Sequence, residues 1–354
     1  MNKNYEPLGK HLRLVDTRNV DMVTDRLLGI NIDKYFMPSV ANVIGTDLSR
    51  YKLISKGHFA CNTMHVGRDE RLPVALYTDD TPAIVSPAYA IFKIVDESRL
   101  LPDYLMMWFK RAEFDRVCWL KTDGSVRGGI SWDDICRLEL PVPPIEQQQK
   151  IIKAYQAITD RIALKRAIND NLEALAGAIF MDSFAESYHT TAKLGEIMTL
   201  NYGKSLTATT RVQGTIPVYS SAGITGWHNN PNIFEPSIII GRKGTVGTLY
   251  YCPHPVFCID TAYYVTQSDT SLPLLVAFRL LKSLNLPEYN EDAAVPGLNR
   301  NTVYAIEIAY PHTATLNKCN EQLASTYNAL DSNNNEIARL QELSETLVSR
   351  LTVL

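Results

Sequence analysis

Two stretches of this chain carry nearly the same pattern 168 residues apart: GGISWDDICRLELPVPP from Gly128 to Pro144, and PGLNRNTVYAIEIAYPH from Pro296 to His312. At that offset Gly129 falls on Gly297, Ile130 on Leu298, Ile135 on Val303, Leu138 on Ile306, Leu140 on Ile308 and Pro143 on Pro311. The match is in chemical type more than in identity, so an internal duplication is the first constraint on the fold. It extends upstream. AIVSPAYAIF (Ala83 to Phe92) parallels FCIDTAYYVT (Phe257 to Thr266), with Tyr89 set against Tyr263, and KGHFACNTMHVG (Lys56 to Gly67) parallels EPSIIIGRKGTVG (Glu235 to Gly247). Those matches need offsets of 174 to 180, so insertions and deletions separate the copies there. PLGK (Pro7 to Lys10) and KLGE (Lys193 to Glu196) open the two copies.

Each copy changes character partway along. The first part reads as short strands punctuated by turn residues, as in YSSAGITGWHNNPNIFEPS from Tyr219 to Ser237, with short helices predicted over 102–114 and 272–284. From Ile145 to about Phe184, and from about Thr313 to Leu354, Gly and Pro all but vanish and apolar residues return at helical spacing. Ile151, Tyr155, Ile158, Ile162, Leu172, Ala176 and Ile179 line one helix; Leu316, Leu323, Leu330, Ile337, Leu340, Leu347, Leu351 and Leu354 line the other. Each would be roughly 60 Å long and needs a partner along its stripe. The first stripe breaks at Lys165 and Asn169 and the second at Asn333 and Asn334, near each midpoint. An antiparallel pair would bring the breaks together and set the register, with a globule at each end of a rod. The expected fold class is α+β: two mixed α/β domains separated by two long helices in an antiparallel coiled coil, a pseudo-two-fold internal repeat. The expected boundaries are 1–143, 144–185, 186–311 and 312–354.

A hydrophobic fraction of 45% with 21% charged residues is the composition of a soluble globular protein. No apolar run is long enough to span a bilayer and MNKNYEPLGK is no apolar signal segment, so a cytoplasmic location without membrane association is expected. The six cysteines are scattered without a CxxC, and His189, His228 and His254 have no ligand partner at usable spacing, so neither disulfides nor a metal is expected.

Two similar but non-identical globules suit a reader of two different half-sites on double-stranded DNA, since identical heads read a palindrome. The net charge of −3 means that any DNA contact must come from local patches. Base edges are best read by Arg, Asn and Gln. The candidates are Lys56, Asn62, His65, Arg68 and Arg71 in the first copy, and Lys204, Arg211, Tyr219, Ser220, Ser221, Arg242, Lys243 and Arg300 in the second. GRKGTVG (Gly241 to Gly247) is the most phosphate-like stretch; its other reading is a tight hairpin required by the fold. Lys165, Asn169 and Asn333 read as registry residues, and the Tyr89 and Tyr263 pair as strand core.

RGGISWDDICRLELPVPPIEQQQKI followed by ITDRIALKRAINDNLEALAGAIFMDSF resembles the conserved regions of the specificity subunit of type I restriction-modification systems. KLGEIMTLNYGKS, IPVYSSAGITGW, IIIGRKGTVGTLYY and IDTAYYV resemble one kind of target recognition domain in that family. The second long helix departs from the pattern, starting from YPHTATLNK instead of PPIEQQ, and the first globule matches more loosely. The resemblance implies a non-catalytic subunit that recruits two copies of an adenine-N6 methyltransferase subunit and, in the full complex, an ATP-dependent restriction subunit. It implies no cofactor in this chain, with S-adenosylmethionine, ATP and Mg confined to the partners. The sequence agrees in lacking both an Asn/Asp-Pro-Pro-aromatic tetrad and a GxxxxGK[ST] loop. PPIEQQQ has a structural reason of its own, Pro before a helix and Glu in its first turn; the resemblance adds Glu146, Gln147 and Gln148 as partner-binding candidates. Two other functions stay open: a coiled-coil scaffold joining two partner-binding globules without DNA recognition, and a nuclease using carboxylates such as Asp69, Glu70, Asp79 and Asp80.

Overall fold

The duplication returns as a duplicated strand order. The computed structural model describes residues 5–41, 45–64, 66–122, 128–185, 189–289 and 297–352. The chain divides into two units, Met1–Ala163 with Ala338–Leu354, and Leu164–Ile337.

In the first unit β1 (Tyr5–Pro7) pairs antiparallel with β10 (Glu139–Pro141). A four-stranded antiparallel sheet runs β2 (Leu12–Val15), β9 (Ala90–Ile94), β6 (Phe59–Cys61), β7 (Val74–Leu76). A second sheet runs β4 (Phe36–Pro38), β3 (Leu27–Ile30), β8 (Ala83–Val85), β5 (Lys52–Ile54), with β3 and β8 parallel. All of β6 is buried because it lies between two cores: Phe59 and Cys61 join the larger core, Ala60 the smaller. That accounts for a short apolar run instead of alternation.

The helices of this unit are α1 (Val66–Asp69), α2 (Pro102–Phe109), α3 (Ala112–Leu120), α4 (Trp132–Cys136) and the start of α5 (Ile145–Phe184). The single helix expected over 102–114 is two. Arg111 is extended (φ −73°, ψ 137°), its guanidinium stacks 4.1 Å from the Trp108 ring, and the chain turns there. The turn lets Asp115 receive the Lys34 ammonium (2.7 Å) and the Leu72 N–H (3.0 Å) inside the protein.

The second unit repeats the plan. Strand β11 (His189–Lys193) pairs with β19 (Glu307–Pro311). One sheet runs β12 (Asn201–Tyr202), β18 (Ala262–Thr266), β15 (Ser237–Gly241), β16 (Leu249–Cys252). The other runs β14 (Gly223–His228), β13 (Ile216–Ser220), β17 (Phe257–Cys258), with β13 and β17 parallel. Helices α6 (Leu194–Ile197), α7 (Leu274–Ser283), α8 (Arg300–Tyr304) and α9 (Thr313–Ser349) follow. Both α4 and α8 start from a capping side chain, Ser131 Oγ accepting the Asp134 N–H and Asn299 Oδ1 the Asn301 N–H.

Matching hydrogen bonds fix which residues correspond. Leu8 N–H donates to Leu138 O as Leu194 N–H does to Ile306 O, and Ile130 N–H donates to Thr63 O as Leu298 N–H does to Arg242 O. Gly9 lies flush against Cys136 and Gly195 against Tyr304, so a Cβ would come within 2.9 and 2.8 Å of the neighbouring Cβ. Cys61 faces Ala90 across the first sheet and Ile240 faces Tyr263 across the second. Tyr263 therefore corresponds to Ala90, one residue beyond the Tyr89 that sequence matching set against it. One residue reverses the face: Tyr89 packs on the smaller core of its unit, whereas Tyr263 lies in the larger core of the other.

The long helices pair antiparallel within each unit. In the first, Ile151 and Ile152 from the start of α5 share a core with Val348 and Leu351 from the end of the chain. In the second, Ala176 and Phe180 from the end of α5 share one with Leu316, Cys319 and Leu323 from the start of α9. The polar breaks meet as expected. Lys165 Nζ lies 2.8 Å from Asn333 Oδ1 and 2.8 Å from Glu336, and Asn169 exchanges bonds of 2.9 Å with Asn333 and Asn334. A slipped register would leave these groups against apolar neighbours. Among the described residues no helix is long and apolar enough to cross a membrane.

Candidate nucleic-acid interface

In the second unit three separate segments fold onto one turn, Cys258–Thr261. Lys204 N–H donates to Cys258 O (3.0 Å), Ile259 N–H to Tyr219 O (2.9 Å), and Arg242 and Lys243 N–H both to Thr261 O (3.0 Å each). Ser221 N–H reaches Thr261 Oγ1 at 3.4 Å. The turn thus assembles Lys204, the Tyr219–Ser221 stretch, Arg242 and Lys243, which lie as much as 39 residues apart in the chain. The glycines of GRKGTVG serve this hairpin. Gly244 and Gly247 sit at φ of 82° and 75°, and a Cβ on Gly247 would meet Pro287 N at 2.5 Å. Of the two readings of that loop, the hairpin explains the glycines, while Arg242 and Lys243 ride on it.

Two arginines meet over one tyrosine. The guanidinium carbon of Arg242 lies 5.1 Å from the Tyr202 ring centre and that of Arg300 5.2 Å. Arg242 is also 5.8 Å from the Tyr263 ring and Arg300 5.7 Å from Tyr304. Arg242 Nε and Nη2 donate to Asp260 O at 3.2 and 2.7 Å, and Arg300 Nε is buried without a hydrogen-bond partner. Among the described residues neither guanidinium forms a salt bridge. A ring face holds a cation through its quadrupole without consuming N–H donors, whereas a carboxylate would take them in pairs. Tyr202 is 49% exposed and both arginines are half-buried, so the cluster reaches the surface at its edge. Tyr263 beneath it is buried, donates to Leu298 O (3.1 Å), and its hydroxyl is pushed up to about 12, first by burial and next by the neighbouring Tyr202 hydroxyl. Sequence reasoning missed Tyr202 and Tyr304. The signal lay in the repeat, since carrying Gly9 onto Gly195 carries Asp16 onto Tyr202.

Other candidates in this unit turn inward or elsewhere. Tyr219 packs 5.6 Å from Tyr250 beside Cys252, and burial raises its hydroxyl above the usual tyrosine range; it is strand core. Ser220 and Ser221 are each 6% exposed. Ser220 Oγ donates to Gly223 O and accepts from Ala222 N–H, and Ser221 O accepts from Thr248 Oγ1. Ser220 and Ser221 are buried and Tyr219 is half-buried against the strand core, an arrangement that stands against base contacts by these three. Arg211 lies apart from the turn, donating to Thr225 O (2.6 Å) on the outer hairpin.

In the first unit each candidate cation faces a carboxylate: Lys56 Asp80 (2.7 Å), Arg68 Asp69 (2.6 Å) and Arg71 Asp33 (2.8 Å). Asn62 is half-buried and accepts from Met64 N–H (3.2 Å); His65 lies outside the described residues. Exposed pairs of this kind are worth less than about 1 kcal/mol, so a phosphate can displace the carboxylate. Asp69, Asp79 and Asp80 face Arg68, Arg26 and Lys56, and no three His, Cys, Asp or Glu side chains among the described residues gather as around a metal ion.

Gln148 is fully buried, so its expected role as a partner contact is corrected. Its Oε1 accepts from Leu101 N–H (2.9 Å) and its Nε2 donates to Arg99 O (2.9 Å) and Pro143 O (2.8 Å), tying the start of α5 to the start of α2. Glu146 is exposed and Gln147 half-buried.

Residues 188–345 match the family model described as the type I restriction modification DNA specificity domain. The chain is 26% identical over 192 residues to the type I restriction enzyme HindI specificity subunit of Haemophilus influenzae, a match covering 52% of this chain and 40% of that protein. The chain thus spans less than half the length of the curated relative it matches. Its fold is similar to that of the type I restriction-modification S subunit from M. genitalium, with TM-score 0.63 at 18% identity over 99% of this chain and 97% of that one. A structure solved to explain complex assembly and conformational transition of a type I R-M system gives TM-score 0.50 at 14% identity, covering 99% and 98%. Residues 188–345 thus match the type I restriction modification DNA specificity domain, and the fold of the chain is similar to that of a solved type I restriction-modification S subunit.

Proposed function

We propose that this chain is the non-catalytic DNA-reading subunit of its system, recognising an asymmetric, interrupted target with its two recognition domains, residues 1–143 and 186–311. The observation that carries this reading is that two units whose larger sheets share a strand order carry unlike side chains at corresponding positions, Asp16 for Tyr202 and Thr63 for Arg242. Identical heads would read a palindrome; diverged heads read two unlike half-sites. In this reading Lys204, Arg242, Lys243 and Arg300 contact DNA in the second unit. Lys56, Arg68 and Arg71 exchange their carboxylates for phosphates in the first, with Arg211 a peripheral contact. Glu146 and Gln147, at the exposed start of α5, contribute to a dock for two adenine-N6 methyltransferase subunits and, where the system has one, an ATP-dependent restriction subunit. S-adenosylmethionine, ATP and Mg then belong to those partners, and the assembly works in the cytoplasm.

Co-expression with the cognate methyltransferase subunit, followed by mapping of N6-methyladenine across the host genome, tests the proposal. Methylation confined to one asymmetric, interrupted motif is the expected result. Methylation unchanged when this chain is deleted would refute it and leave a scaffold that joins partners without reading DNA.

A further inference from the structure

The correspondence between the units extends to a place where they differ in charge. Carrying Gly9 onto Gly195 sets Asp16 at the place of Tyr202. The bonds from Ile130 and Leu298 set Thr63 at the place of Arg242, and the first residues of α4 and α8 set Trp132 at the place of Arg300. In the second unit this place holds two guanidinium cations around a half-exposed tyrosine. In the first it holds a carboxylate, a hydroxyl and an indole; Asp16 lies 3.1 Å from Arg18 and 3.5 Å from Lys52, and the Trp132 ring packs 5.1 Å from Phe92.

We infer that Arg242 and Arg300, held by Tyr202, form a clamp for the DNA backbone phosphates that the first unit lacks, so that the second unit supplies more of the sequence-independent grip. The inference rests on the DNA-reading proposal. Phosphate is favoured over a base edge because two guanidinium cations share one ring, and among the described residues neither forms a salt bridge, an arrangement that suits an anion more than a neutral base edge. Asp260 O engages Arg242 Nε and one Nη2 hydrogen, and the end-on Nη1 and Nη2 donors stay open to phosphate oxygens. Among the described residues these two cations have no carboxylate partner, and with exposed Lys243 and Lys204 on the turn that holds Arg242 they repel one another until an anion arrives. In the first unit the corresponding place holds Asp16, whose carboxylate already occupies Arg18 and Lys52.

The test uses the full chain and a labelled 30-base-pair duplex of mixed sequence, with binding followed by fluorescence anisotropy from 50 to 200 mM KCl. Each phosphate contact contributes about 0.9 to the slope of log affinity against log salt, so Arg242→Gln with Arg300→Gln should flatten that slope by about 1.8. The charge-keeping pair Arg242→Lys and Arg300→Lys should retain it, which separates loss of charge from loss of fold. Asp16→Asn in the first unit should leave it unchanged. A glutamine pair with the wild-type slope, or a lysine pair that loses the slope as the glutamine pair does, overturns the clamp while the DNA reading stands. A wild-type chain that binds the duplex without salt dependence overturns both.

Discussion

Replacing Gln148 by Ala separates a structural role from a partner-binding one. The side chain is fully buried and makes three hydrogen bonds of 2.8 to 2.9 Å, all to main-chain groups on segments that meet where α5 begins. Truncation strands the Leu101 N–H and the Arg99 and Pro143 carbonyls. An unsatisfied buried group costs about 1–3 kcal/mol, and two of these bonds are only partly shielded from water, so the low end applies and the total is about 3 kcal/mol. That lowers the folded-to-unfolded ratio of the first unit on the order of a hundredfold, and its Tm by roughly 6–12 °C at 2–4 °C per kcal/mol. Urea titration followed by tryptophan fluorescence is the assay, because Trp108, Trp119 and Trp132 of the four tryptophans lie in this unit. Gln149→Ala, an exposed neighbour, is the control. A Gln148→Ala chain within about 0.5 kcal/mol of wild type that nevertheless loses methyltransferase capture would refute the argument and return Gln148 to the partner surface.

Gly9→Ala and Gly195→Ala should each destabilise by about 1–3 kcal/mol, because each new methyl meets a side-chain Cβ at under 3 Å; equal effects in thermal unfolding would support the correspondence between units, and two neutral substitutions would count against it. Asp115→Ala leaves the Lys34 ammonium buried without its counterion and should cost about 3 kcal/mol in urea, whereas Lys34→Met with Asp115→Leu should recover only part of it, because the Leu72 N–H stays unpaired; a neutral single variant would show the pair to be incidental. Glu6 is held down at about 2, first by the hydrogen bond from Lys10 and next by that from Arg99. A carboxylate whose folded pKa is depressed contributes stability above its unfolded value, near 4.5, and loses it as pH falls toward 2. The stability difference between wild type and Glu6→Gln should therefore shrink across that window, and a constant difference would show that the ion pairs do not set it.

The duplication, the α+β class and the antiparallel pairing of the long helices were legible because each rests on local periodicity or on one segment compared with another. A heptad stripe states which face is buried, and Lys165, Asn169, Asn333 and Asn334 at matching depths state the register, whatever else the chain does. The candidate site was legible only in part. Side-chain type picked out Arg242, Lys243 and Arg300, but it equally picked out Ser220, Ser221 and Gln148, which the fold buries. It also could not show that Lys56, Arg68 and Arg71 face carboxylates while Arg242 and Arg300 face a ring. The physical reason is range. Periodicity is written between neighbours in the chain, whereas burial, charge pairing and the meeting of Tyr202 with Arg300 across 98 residues depend on how the strands close around one another, which only the tertiary structure decides.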